Sequence, residues 1–186
     1  MKRLYLLLAL IPFALTAQTK NLVKCEDKSS YWVIKSKGKI FTIHLHGDVA
    51  PGDVPELMNV EEMALHYNLL DKSAYLKKGG GSNDAAVLTR FIKGEEKVLG
   101  DKMKPVYKIL KLPSGKPFLL WHHDWHGTEE MVEQQVHATI VLGEAIIWLS
   151  APKFTGQDIA QIEAFLTETI GSVKAVKSVK DLCGQK

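Results

Sequence analysis

Seven histidines stand out in a sequence otherwise short of reactive patterns, and five of them fall in two short runs. One run is His44-Leu45-His46; the other is Trp121-His122-His123-Asp124-Trp125-His126. In a strand, alternate residues share a face. His44 and His46 would then be neighbours, and His122, Asp124 and His126 would share a second face. A His-x-His pair on a strand can hold one divalent ion, and neutral imidazoles joined by a carboxylate suit Zn or Cu. Zinc typically takes four ligands, more than either strand supplies. His122 and His126 would stand about 13 Å apart along an extended chain. A metal centre built from His44, His46, His122, Asp124 and His126 therefore requires the two runs to meet, or low-affinity binding by two ligands. The bland alternative is polar strand surface. His123, in phase with Leu119, Trp121 and Trp125, reads as a packed core histidine. Glu62 and His66 read as an ordinary surface pair one helical turn apart, and His137 as the cross-strand partner of Asp124 in a long hairpin.

Signatures of catalysis are missing: the sequence contains no GxSxG, HExxH or GxxxxGK[ST]. The triple glycine in Lys77-Lys78-Gly79-Gly80-Gly81-Ser82-Asn83-Asp84 lacks the phosphate-loop order and reads as a surface loop. The acid pairs Glu61-Glu62, Glu95-Glu96 and Glu129-Glu130 are adjacent, so neither a helix nor a strand aims both members of a pair at one site. Trp121, Trp125 and Trp148 offer a binding platform for a sugar, a lipid or a partner if exposed, and core packing if not. The leading expectation is a non-catalytic binding or accessory protein with no catalytic residue to name and an unidentified protein or small-molecule partner. A transition-metal-binding protein and a small hydrolase with an unrecognised site are the alternatives.

The elements that must position these residues are mostly strands. Tyr31 to Lys37 and Lys39 to His46 form a hairpin around Ser36-Lys37-Gly38-Lys39, with Phe41, Ile43 and Leu45 on its core face and both histidines pointing away. Asp53 with Glu56 resembles a capping box, and Leu57, Val60, Met63, Ala64, Tyr67 and Leu70 then make one helical stripe. Ala85 to Ile92 reads as a strand. From Met103 an antiparallel meander follows: Pro105 to Leu112, a turn at Pro113-Ser114-Gly115-Lys116, Pro117 to Trp125, then Val136 to Leu142 and Ala145 to Leu149 around a Gly143-Glu144 turn suited to type II′. Thr128 to Gln135 reads as a loop or a short helical link. Ala138, Ile140, Leu142, Ala145, Ile147 and Leu149 share an apolar face that should lie under a helix. A last helix runs from about Gly156, capped by Thr155, to Val173, with Ile159, Ile162, Leu166, Thr169, Ile170 and Val173 in one stripe.

The start of the chain has the three parts of a secretory signal: Lys2 and Arg3, an apolar run from Leu4 to Leu15, and Leu15-Thr16-Ala17 before Gln18. The apolar run is about a dozen residues against the roughly 20 a membrane span needs. Cleavage between Ala17 and Gln18 is expected, leaving a single domain over residues 18–186 with no transmembrane segment, in the periplasm or secreted. Gln18 to Ser30 is polar and reads as a loose lead-in. Formal net charge is +3. Beyond residue 17 the chain carries 22 basic and 21 acidic residues. Such a nearly neutral protein does not suit nonspecific nucleic-acid binding, which depends on neutralising phosphates. Two cysteines, Cys25 and Cys183, lie near the two ends; in an oxidising compartment they are expected to bond.

The sequence Ala145 to Ser150, Ala151-Pro152, and a long helix closing near Gly171-Ser172-Val173-Lys174 resembles the end of PsbP/Mog1-like domains. That resemblance covers roughly the last 40 residues. It implies an antiparallel sheet flanked by helices and a non-catalytic binding or assembly role, and it assigns no functional residue. The fold expected is thus α+β: an antiparallel meander flanked by helices, with a long C-terminal helix packed on the sheet.

Overall fold

The computed structural model describes residues 21–76, 83–129 and 131–184. The signal segment, its Ala17/Gln18 cleavage point and most of the triple-glycine stretch lie outside them. The strands are β1 (Leu22–Lys24), β2 (Ser29–Ser36), β3 (Lys39–His46), β4 (Val49–Pro51), β5 (Leu57–Val60), β6 (Met63–Asp71), β7 (Val106–Lys111), β8 (Pro117–Asp124), β9 (Val132–Leu142), β10 (Ala145–Phe154) and β11 (Lys174–Val176). Two helices, α1 (Asp84–Leu99) and α2 (Ile159–Ser172), complete the α+β layout. The strands form two antiparallel sheets. The smaller has the order β1-β2-β3-β11 and the larger β4-β5-β6-β10-β9-β8-β7.

Both expected hairpins are present, each for its turn chemistry. Lys37 and Gly38 are left-handed at φ 48° and 74°, the type I′ geometry that matches strand twist. At the other, Gly143 alone is left-handed, at 60°, as type II′ requires.

The period-2 pattern divides the large sheet into two buried faces. Phe118, Leu120, Val136, Ala138, Ile140, Ala145, Ile147 and Leu149 face α2 and the small sheet, and join Trp32, Ile34, Phe41, Ile43 and Leu45 in one apolar cluster. Leu119, Trp121, Val141 and Ile146 face the other way and pack under Val87, Leu88, Phe91 and Ile92 of α1. Helix α2 lies against β3, β9 and β10, which ties the two sheets together.

Several expectations are corrected. Residues 57–70 form strands and no helix: β5 and β6 pair as a hairpin through Glu61-Glu62, with Glu61 left-handed at φ 52°. Glu62 and His66 are therefore not a helical pair. Ala85 to Ile92 belongs to α1, which starts where the Asn83 side chain accepts a hydrogen bond from the Ala86 amide at 2.8 Å. Its buried positions 87, 88, 91 and 92 recur at helical spacing. Leu22–Lys24 and the start of β2 replace the expected loose lead-in. Strand β9 begins at Val132 rather than at Val136. Helix α2 is capped by Asp158, whose carboxylate accepts from the Ala160 amide at 2.9 Å, and not by Thr155. Its expected stripe holds, with Ile162, Leu166, Thr169 and Ile170 buried.

Cys25 and Cys183 are disulfide-bonded, with Cα atoms 5.4 Å apart across a sequence separation of 158. The bond joins the turn between β1 and β2 to the short helical turn Leu182–Gly184.

Candidate functional site

His44 and His46 leave β3 on the side away from Ile43 and Leu45, as alternation requires. Their ring centroids are 4.3 Å apart, and His44 stacks on Tyr31 at 4.5 Å. Strand β11 pairs with β3 only through Ile40 to Thr42, ending two residues before His44. Beyond that point the last turn of α2 takes over. The Ser172 hydroxyl accepts from the His44 amide at 3.0 Å and lies 3.0 Å from the His44 carbonyl. The backbone carrying the pair is thereby pinned to the helix.

These histidines line a cleft of about 530 Å³ with Glu61, Glu62 and Met63 of the β5–β6 turn and Phe165, Glu168 and Thr169 of α2. Three carboxylates and two imidazoles line it, and Lys174 of β11 acts on His44 from beside it. Gly47, at φ 88°, packs close to the Glu61 carboxylate, which would have to swing aside for any Cβ there. Burial holds the His44 imidazole below the usual histidine range, and neighbouring His46 and Lys174 push the same way, opposed by Asp27. His44 is neutral at pH 7 and available as a lone-pair donor.

The second run lies elsewhere. His122 sits on β8 in the large sheet, its Nδ1 4.0 Å from Glu163 of α2, and that carboxylate is bonded to Lys108 at 2.7 Å. Burial lowers the His122 pKa, with Glu163 and Asp124 opposing. The Asp124 carboxylate accepts from the Gln134 side-chain amide at 3.1 Å. His126 lies beyond the end of β8 at Asp124, so the strand does not carry it onto a shared face. The two runs meet different residues of α2, Glu168 and Thr169 for one and Glu163 for the other. Among the described residues no three His, Cys, Asp or Glu are grouped as a metal would need.

His137 is a residue the sequence did not single out for its surroundings. It faces Trp121, not Asp124, in the β8–β9 register. Its ring stacks on Trp121 at 3.8 Å and lies 5.3 Å from His123. The Trp148 indole donates to His137 Nδ1 at 2.8 Å. The proton of the neutral ring is then on Nε2, which is buried with no hydrogen-bond partner among the described residues. Trp121, buried, donates to Thr139 Oγ1 at 3.2 Å. Trp121 is core, Trp148 is half-buried against the same cluster, and His123 is buried beside them. The signal for this cluster was the register, which needs the pairing of β8, β9 and β10 to be known.

Burial keeps the His137 pKa well below 6.5, with His123 and His122 adding in the same direction. The unfolded chain therefore takes up a proton below about pH 6.5 that the folded state refuses. Stability should fall as pH drops through that range, by up to about 1.4 kcal/mol per pH unit for this one group. His137→Gln, which keeps an acceptor for Trp148 and removes the titration, should flatten the dependence of urea midpoints between pH 7 and 5. An unchanged slope would place the acid sensitivity in other groups.

No protein-family model matches this chain, and no curated protein matches it. Among solved structures, it is similar to the solution structure of cyanobacterial PsbP (CyanoP) from Synechocystis sp. PCC 6803. Identity is 9% and the TM-score 0.43, covering 83% of this chain and 91% of that one. A likeness this distant transfers no role to any residue.

Proposed function

We propose that this is an exported, non-catalytic binding or accessory protein whose ligand is a cation held in the cleft between β3, the β5–β6 turn and α2. The lining carries the reading: Glu61, Glu62 and Glu168 supply negative charge that outnumbers the nearby Lys174, and Phe165 and Met63 supply apolar walls. The Cys25–Cys183 bond supports a periplasmic or secreted location, since such bonds persist in oxidising compartments. The mature chain then begins at Gln18, which the intact mass of exported protein would reveal.

A second reading is favoured by the 4.3 Å approach of His44 and His46: the cation is Zn or Cu, chelated by the two imidazoles with solvent completing the set. Calorimetric titration with zinc, copper(II) and spermidine tests both. Glu168→Gln should weaken whichever probe binds. His44→Ala should weaken metal binding by more than the roughly tenfold that even a lost outer partner of a ligand brings, and leave spermidine nearly unchanged. Metal affinity should fall with pH as the imidazoles protonate. If none of the three probes binds at micromolar concentration, the cleft is not a cation site.

A further inference from the structure

Four strands edge the two sheets, and they are not alike. Strands β1, β11 and β4 have three residues each, and β4 ends in Pro51. Such short or proline-ended edges are the usual protection against unwanted pairing. Strand β7 has six residues and lies at the end of the seven-stranded sheet.

Its outer side has no strand partner among the described residues. The Leu112 amide donates to the Lys116 carbonyl at 2.9 Å, and in an antiparallel ladder bonded and non-bonded positions alternate. Val106, Lys108 and Leu110 therefore bond inward to β8, while the amides and carbonyls of Tyr107, Ile109 and Lys111 point outward. Large apolar side chains accompany them: Val106 is 62% exposed, and Tyr107 and Ile109 are each 40% exposed. From Met103 to His123 the sequence has Lys104, Lys108, Lys111 and Lys116 and no acid. Lys108 is paired with Glu163. Lys104 and Lys111 are exposed, with no carboxylate partner among the described residues.

We infer that β7 is a docking edge that accepts an extended acidic segment of another protein as an added antiparallel or parallel strand. Main-chain bonds to Tyr107, Ile109 and Lys111 would supply the affinity, and alternate side chains the specificity. The apolar residues of the incoming strand would lie beside Tyr107 and Ile109, and its carboxylates beside Lys104 and Lys111. A second copy of this chain is disfavoured, because residues 103–123 hold no carboxylate to meet Lys104 and Lys111 across the new ladder.

The test uses a fluorescent seven-residue peptide alternating glutamate and valine, a matched lysine–valine peptide, and amide hydrogen exchange on the full oxidised chain. The acidic peptide should bind and the lysine peptide should not. Binding should slow exchange at Tyr107, Ile109 and Lys111. Ile109→Pro removes an outward amide, not one bonded to β8, so the fold should survive; binding should weaken about tenfold or more through the lost ladder bond and the ring's bulk. Lys111→Glu should reverse the peptide preference. The inference is overturned if the acidic peptide fails to bind, or if Ile109→Pro leaves its binding unchanged. It is also overturned if sedimentation shows a dimer that Ile109→Pro dissociates, or if the edge instead binds phosphatidylglycerol vesicles in a way that Lys111→Glu abolishes and Ile109→Pro does not.

Discussion

Leu166→Asp should cost at least about 4 kcal/mol of folding stability, the range reached when a core side chain is lost and a charge is buried in its place. Leu166 is 0% exposed and sits in the apolar cluster that both sheets share with α2. No basic side chain joins that cluster to pair with a new carboxylate. The substituted residue must protonate, drag water inward, or release the helix from the sheets. The last of these would also free Ser172 from the His44 backbone, so the cleft should be lost together with the fold. Gln161→Asp, an exposed position five residues before Leu166, serves as the control and should move the midpoint little. Urea unfolding followed by far-ultraviolet circular dichroism decides. A Leu166→Asp midpoint equal to that of the unaltered protein would show that α2 does not depend on this contact.

Removing the Cys25–Cys183 bond is expected to have the other large effect. Joining residues 158 apart restricts the unfolded chain, and the chain-entropy model assigns about 5 kcal/mol to a loop of that length, an upper figure because real bonds often give less. The double variant Cys25→Ser with Cys183→Ser should unfold at a clearly lower urea concentration with the same native circular dichroism. Damage should appear first where the bond acts, in β1 and the final helical turn, as faster amide exchange there. Intact mass before and after reduction and alkylation gives the independent check. Two thiols alkylated without reduction would show the bond does not form.

The features legible in the sequence were those whose signals are local. The turns at Lys37-Gly38 and Gly143-Glu144 carry their own backbone chemistry, and α2 shows its stripe over four turns. The segment from Leu57 to Leu70 misled because its apolar residues satisfy a helical period while also alternating along β6, where Met63, Leu65, Tyr67 and Leu69 share the inner face. The reversal between the strands falls on Glu61-Glu62, a pair with no glycine, proline or asparagine to mark it. Helix α1 was hidden by a short apolar run, and its decisive signals were the Asn83 cap and the wet residues from Lys93 onward. Of the candidate site, the His44–His46 neighbourhood followed from strand alternation alone. Glu61, Glu62 and Glu168 join it only through the packing of α2 and the β5–β6 turn against β3, and no spacing rule reaches across such distances. His122 failed to join for the same reason: it lies in the other sheet.

The position of the disulfide also governs when it can form. The chain is made from its N-terminus, so Cys183 appears 158 residues after Cys25, when both sheets and both helices have already been synthesised. In an unfolded chain of that span the two thiols see each other at low effective concentration. Only the assembled fold holds their Cα atoms at 5.4 Å. Oxidation should therefore be favoured after assembly, and a molecule whose two ends have not met should expose two thiols to alkylation.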